Sequence, residues 1–473
     1  MRLTLQVILT ADDGQEETHA IASIEREGVH PDTVGLTLAE GKTILRKLQE
    51  IVVEHQVQDF LSRQRWCPKC GTGRRHKDRR QLSLRTVFGK LTVESPRFYH
   101  CPCQPQESHT FSPLANRLPE RTTPELLFLE TKFASLLSYG ISTELLQETL
   151  PVDEKLNPVT LRNHLLRVAQ RTEDALGEEQ GSFIDGCPRD WGQLPAPDGP
   201  LTVGIDGGFV RAPRKDGWFE VIAGKSMLSF TRDEEKEVPS SKCFGFVRTF
   251  DTKPKRRLFE LLKLQGMQMN QQLVFLSDGG DSVRDLQEYL NPEADHWLDW
   301  FHITMRLTVL GQYVKGIKEK DAALAVKTDK ALERLKHYLW HGNVFQALQI
   351  IEDLAGDVED VEESSDVIRK LLKGVYELQT YIDNNRGYIP NFGERYRNGE
   401  SISTAFVEST VNQVISKRFV KKQSMQWTQR GAHLLLQTRT RVLNDDLEGT
   451  FRDWYPHFRK EKVADFAPTS HAF

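Results

Sequence analysis

The 473 residues exceed what one hydrophobic core organises, so several structural units are expected. With 38% hydrophobic and 27% charged residues, no apolar run of about 20 residues and only six cysteines, the chain reads as a soluble cytoplasmic protein, which excludes a membrane protein and a disulfide scaffold. A net charge of −4 excludes a uniformly basic nucleic-acid binder, so regional charge decides: residues 61–100 carry 11 Lys/Arg against 2 Asp/Glu, and residues 408–441 carry 7 against 1.

The apolar start of the chain gives way to Ala11-Asp12-Asp13, which fits neither a signal peptide nor an anchor. Residues 1–64 read as short strands followed by a helix from Leu38 to about Gln64. Its stripe of Ile44, Leu48, Ile51, Val52 and His55 suits packing or self-association.

Residues 65–120 read as a zinc ribbon. Cys67-Pro68-Lys69-Cys70-Gly71 is a knuckle that presents two thiolates, and Cys101-Pro102-Cys103 completes a tetrahedron. The second pair is spaced more tightly than usual, so His100 or His109 stands as a substitute for one cysteine. Residues 81–99 alternate as two strands around a turn at Phe88-Gly89-Lys90. Arg74, Arg75, Lys77, Arg79, Arg80 and Arg85 suit phosphate contacts.

Residues 121–180 read as three short helices of helix-turn-helix type: one opened by Thr123-Pro124-Glu125, one capped by Ser142-Thr143-Glu144, one started by Asn157-Pro158. A turn at Tyr139-Gly140-Ile141-Ser142 separates the first two, and the third would present Arg162, Asn163, His164 and Arg167 to DNA. Residues 181–200, rich in Gly, Pro and Asp, read as a linker.

Residues 201–303 carry the first candidate chemistry. An apolar strand ends in Ile205-Asp206-Gly207-Gly208, three strands and a helix follow, and a second apolar strand ends in Ser277-Asp278-Gly279-Gly280. Asp281 reads as the N-cap of a helix from Ser282. His296 to Ile303 reads as a further strand carrying Asp299. The two strand-end acids, Asp206 and Asp278, meet if their strands are neighbours in a mixed sheet. Residues 304–400 are helical and polar, without catalytic punctuation. Residues 401–443 open a helix bearing Glu408, followed by Lys417, Arg418, Lys421 and Lys422, and residues 444–473 form a tail.

These motifs together resemble the bacterial DDE transposases of the ISKra insertion-sequence type, kin to ISL-type and Mutator-like elements. The resemblance rests on Cys67-x-x-Cys70 with Cys101-x-Cys103, Gly204-Ile205-Asp206-Gly207, Leu276-Ser277-Asp278-Gly279, Asp299-Trp300-Phe301-His302, Val407-Glu408-Ser409-Thr410-Val411-Asn412 and Trp427-x-x-x-Gly431-Ala432-His433. It implies a multi-domain α/β chain whose ribonuclease H-like catalytic domain carries a helical insertion after its second acid. The implied triad is Asp206, Asp278 and Glu408, with Asp299 and His302 as accessory candidates. Two Mg²⁺ (or Mn²⁺) ions suit these carboxylates, because hard cations take oxygen ligands and phosphoryl transfer uses a metal pair. Asp206 would bridge the pair.

One structural Zn²⁺ would sit in the ribbon. The implied partners are double-stranded DNA, both the terminal inverted repeats and the target, and a second copy of the chain in a dimer or higher assembly. The implied location is the bacterial cytoplasm, at the nucleoid when DNA-bound. The competing expectations are a catalytically silent DNA-binding regulator or domesticated relative, and a structure-specific nuclease.

Overall fold

The computed structural model describes residues 1–10, 14–103, 109–181, 183, 187–197, 199–213, 217–228, 241–280, 294–318, 321–361, 365–403, 405–420 and 425–460. The protein is mixed α/β and divides into two compact units, Met1–Val168 with Asp446–Phe473, and Ala169–Asp445. Asp281, Lys421 and Lys422 lie outside the described residues. No described helix is long and apolar enough to cross a membrane.

The first unit begins with an antiparallel pair, β1 (Arg2–Thr10) and β2 (Glu16–Glu25), and a helix, α1 (Leu38–Gln64). Thr37 and Glu40 form a reciprocal capping box at the start of α1, which fixes where it begins. A three-stranded sheet follows: β3 (His76–Thr86), β4 (Gly89–Tyr99) and β5 (Thr110–Phe111). Alternation puts Leu82 and Leu84 of β3, with Leu91 and Val93 of β4, on one face, where they enclose Val53 of α1 and Leu114.

Four helices come next: α2 (Pro113–Arg117), α3 (Pro124–Leu136), α4 (Tyr139–Thr149) and α5 (Pro158–Asp174). The expected turn at Tyr139-Gly140-Ile141-Ser142 is instead the first turn of α4. Its cap is Ser138, whose hydroxyl accepts from the Ile141 N–H, while Ser142 is buried and donates back to the Ser138 carbonyl. Pro124 and Pro158 do open their helices, as a residue without an N–H suits the first turn.

The second unit is built on a five-stranded sheet. After a short helix, α6 (Pro188–Trp191), its strands are β6 (Leu201–Arg211), β7 (Trp218–Leu228), β8 (Ser241–Val247), β9 (Leu273–Ser277) and β10 (Asp295–Leu298), in the spatial order β10-β9-β6-β7-β8. The β6–β7–β8 side is antiparallel, and β9 and β10 add in parallel on the other edge of β6. Helix α7 (Pro254–Leu264) covers one face through Leu258, Leu261 and Leu262, packed on Leu201, Val203 and Phe275.

The strand expected over residues 296–303 stops at Leu298. Asp299 caps a helix, α8 (Trp300–Ile317), by accepting the Phe301 N–H at 2.8 Å. Three long helices follow, α9 (Ala322–Trp340), α10 (Val344–Glu359) and α11 (Asp366–Asn384), sharing with α8 a core that includes Leu310, Leu335, Ile351, Leu371 and Ile382. After α12 (Phe392–Arg397) comes α13 (Ala405–Val411), which runs directly into a π-helix, Asn412–Val420. The last helix of this unit, α14 (Gln429–Leu443), is buried along most of its length.

Candidate active site and metal centre

Two candidate sites emerge, one of carboxylates on neighbouring parallel strands and one of thiols. In β6, residues Leu201–Gly204 pair with Leu273–Leu276 of β9, and β10 residues Asp295–Leu298 pair with Val274–Ser277. Continuing each register by one or two residues sets Asp206, Asp278 and Asp299 abreast: Asp278 and Asp299 directly follow the carboxyl ends of β9 and β10, whereas Asp206 lies inside β6, which does not end at the acid as expected but runs on through Gly207 and Gly208 to Arg211, paired with β7. Ligand and catalytic groups collect at this end of open α/β sheets, where strands give way to loops.

Both oxygens of the fully buried Asp299 are engaged locally: Oδ1 accepts from Phe301, and Oδ2 lies 2.8 Å from His302 Nδ1, one turn into α8. Asp299 therefore orients His302. The hydrogen bond with Asp299 pushes the His302 imidazole above its ordinary value; burial opposes this, and the charges of Asp299, Asp278 and Asp206 add to it. Burial pushes the Asp206 carboxyl up. The Gly207 N–H, bonded to its Oδ1 at 2.7 Å, pulls it down, while Asp278 and Asp299 raise it and His302 lowers it. These mutual effects place Asp206, Asp278, Asp299 and His302 within electrostatic reach of one another.

Glu408 arrives on α13, exposed to solvent. The helix approaches β6 closely at Gly208, where an added Cβ would lie 3.0 Å from Ile415 and 3.5 Å from Val411. Among the described residues, three groups bring at least three ligand atoms within 4.8 Å of one another: the four cysteines, Glu17 with His19 and His55, and Glu173 with Asp251 and His433. The set Asp206, Asp278 and Glu408 is not drawn that tight. Its donors are the hard oxygens that Mg²⁺ takes, and the burial that raises Asp206, with repulsion from Asp278 and Asp299 added to it, is a cost that a bound cation offsets.

A cleft of about 1,060 Å³ opens at Asp278, walled by the helical segment that the sequence left without chemistry. Arg306 of α8, Arg369 and Lys373 of α11, Tyr381 and Asn385 line it. The Tyr381 hydroxyl donates to the Asp278 carbonyl at 3.0 Å, and Arg306 lies over the Tyr381 ring at 4.0 Å. Gly279 allows the wall to dock: its φ is +84°, and a Cβ there would come within 2.4 Å of Asn385 Oδ1. Pairings of this kind, about a hundred residues apart in sequence, leave no local signal.

The basic residues divide. Arg75, Lys77, Arg79, Arg80, Arg167 and Lys417 are exposed, while Arg74 and Arg162 are half-buried. Arg418 is a correction. It is fully buried, lies over the Trp427 ring at 5.1 Å and contacts Met425, so it serves the core and cannot touch a phosphate. His164 is also buried, paired with Glu130 at 2.5 Å, and is not a DNA-reading side chain.

His433 belongs to a buried network in which Arg257 bonds both Glu173 and Asp251, with Gln437 as a further acceptor. Burial pushes Glu173 up, yet hydrogen bonds from His433 and Arg257 hold it at about 2. By distance Glu173, Asp251 and His433 could hold a metal ion, although Arg257 already occupies both carboxylates.

In the thiol site, Cys67 and Cys70 meet Cys101 and Cys103 with Sγ–Sγ distances of 3.4–3.5 Å. Four sulfurs about 2.3 Å from a tetrahedral zinc ion stand about 3.8 Å apart, so the cluster is compatible with zinc after a small expansion. His100 stacks on Phe111 at 4.6 Å and stays outside the cluster, as does His109, so no histidine replaces a cysteine. Hydrogen bonding, led by Thr72, takes the Cys70 thiol down to about 6, whereas Cys101 and Cys70 push Cys103 up to about 12. Four thiols this close cannot all ionise without a cation among them.

Comparison of the chain with protein-family models and with curated proteins finds no match.

Proposed function

We propose that the Ala169–Asp445 unit is a ribonuclease H-like phosphoryl-transfer core, and that the chain is a DDE transposase of the ISKra insertion-sequence type that cleaves and joins DNA. The observation that carries the reading is the alignment of Asp206, within β6, with Asp278, directly after the adjacent parallel strand β9. The order β10-β9-β6-β7-β8, with three antiparallel strands and two parallel additions, is the topology this reading requires. The helical segment inserted before Glu408, and the close packing of the Glu408 helix on Gly208, agree with it.

Asp206, Asp278 and Glu408 would hold divalent cations, whose chemistry here is to acidify the attacking hydroxyl and neutralise the leaving oxygen. The residues of the chain do the rest. Asp299 orients His302 beside the acids and favours its protonated form, in which the ring can donate to a phosphate oxygen. Arg306, Arg369 and Lys373 give the cleft at Asp278 a cationic wall suited to a DNA backbone. The four-cysteine centre, with zinc as its ion, would order a ribbon whose exposed Arg75, Lys77 and Arg80 add sequence-independent DNA affinity.

The test uses DNA flanking the chain's own coding sequence. Wild-type protein should bind it and, with Mg²⁺ or Mn²⁺, cleave it and transfer 3′-ends to a second duplex. Asp206→Asn and Asp278→Asn should lose cleavage about a thousandfold, equivalent to about 4 kcal/mol of barrier, while end binding persists. Binding by wild type without cleavage in either metal would make the chain a regulator; cleavage without joining would make it a nuclease. Retained cleavage in Asp206→Asn would overturn the assignment of the site.

A further inference from the structure

The β1–β2 hairpin has little apolar anchorage. A two-stranded sheet alone in water is marginally stable, and within these two strands only Ile24 is buried. Against α1 the hairpin instead places a polar cluster. Glu17 and His19 stand two residues apart on one face of β2, His55 faces them from α1, and one ligand atom from each falls within 4.8 Å of the other two. His19 Nε2 is 3.5 Å from Glu17 Oε1, His55 Nε2 is 3.8 Å from Glu17 Oε2, and the two imidazoles meet edge to face at 5.2 Å.

The His19 Nε2 atom is shielded from solvent and has no hydrogen-bond partner among the described residues, since its contact with Glu17 lacks hydrogen-bond geometry. A buried ring nitrogen in that position costs stability unless a donor or a Lewis acid meets it.

We propose that Glu17, His19 and His55 bind a divalent transition-metal ion, separate from the four-cysteine centre, that pins the hairpin to α1. Two imidazoles and one carboxylate suit Zn²⁺, Co²⁺ or Ni²⁺ and discriminate against Mg²⁺ and Ca²⁺. Three protein ligands leave a coordination position for water, and the half-exposed setting makes this the weaker of the two sites. The ion supplies the hairpin with the cross-link that its few buried side chains do not.

The test is Co²⁺ titration of the full chain after metal removal, followed by absorption. With excess Mg²⁺ present to fill the carboxylates of the proposed catalytic site, wild type should take two equivalents: a tight one with thiolate charge-transfer bands, and a weaker one with visible d–d bands only. His19→Ala/His55→Ala should take only the first and expose the hairpin to faster proteolysis. Glu17→Gln, at an exposed carboxylate that leaves packing intact, should weaken the second equivalent by about tenfold or more; it decides the matter if the double variant misfolds and loses both. A single equivalent in wild type, or unchanged binding of the second in Glu17→Gln, would overturn the proposal.

Discussion

Two clusters within the Ala169–Asp445 unit draw on the same side chains, carboxylates around one histidine, and reach opposite electrostatic states. In the first, Arg257 sits among Glu173, Asp251 and His433, and Glu173 is held at about 2. In the second, Asp206 is raised by burial and by Asp278 and Asp299, with His302 as the counter-charge nearest to hand. A cluster that carries its own guanidinium is closed and structural. A cluster in which burial and neighbouring acids raise Asp206 is held in place by the fold around it and gains when a cation arrives.

The largest effect that separates the clusters is on stability. Arg257→Ala leaves two buried carboxylates without their counter-ion and should cost about 3–5 kcal/mol, read as a lower urea midpoint. Asp206→Asn should act in the opposite direction, raising the midpoint at neutral pH because it removes a desolvated charge. Equal destabilisation by both would erase the distinction.

The pH dependence sharpens the same contrast. Glu173 lies below its ordinary 4.5, so its contribution is full above that value and is lost as pH falls towards about 2. His302 lies above its ordinary 6.5, so its contribution is full below 6.5 and is lost as pH rises through its folded value. Asp206 is raised from 3.8, so the gain from Asp206→Asn should vanish below that pH. Urea midpoints across pH should therefore lose their acid limb in Glu173→Gln and their decline above pH 6.5 in His302→Gln. A wild-type profile flat on both sides would contradict both assignments.

What the sequence revealed depended on the range of the contacts. The four-cysteine centre was legible because each thiol pair is local and a turn dictates its geometry, and the two strand-Asp-Gly-Gly runs marked Asp206 and Asp278 through composition alone. Asp299 was placed on a strand because Trp297, Leu298 and Ile303 read as one apolar run. The structure turns the chain at Asp299 because its carboxylate caps a helix. Arg418 lies in a basic run that suggests a solvated face, yet burial over Trp427 reassigns it. No local pattern marks Arg306, Arg369 and Tyr381, because tertiary packing, at Gly279 and Asn385, is what brings their helices to Asp278.

The smallest expected effect probes that wall. Arg369 and Lys373 are exposed on α11, and among the described residues their ion-pair partners are at the surface, Asp366 at 3.7 Å and Glu377 at 3.7 Å, so replacing both should leave the fold unchanged. If they touch a DNA backbone, each contact releases about one counterion, and the slope of log affinity against log salt should flatten by about two in Arg369→Ala/Lys373→Ala. Because phosphate contacts carry no sequence information, the loss should be equal for cognate and unrelated duplexes. A wall that positions the strand beside Asp278 should also raise KM while sparing kcat. An unchanged salt slope with normal cleavage would leave the carboxylate site standing and remove the α11 face from the DNA path.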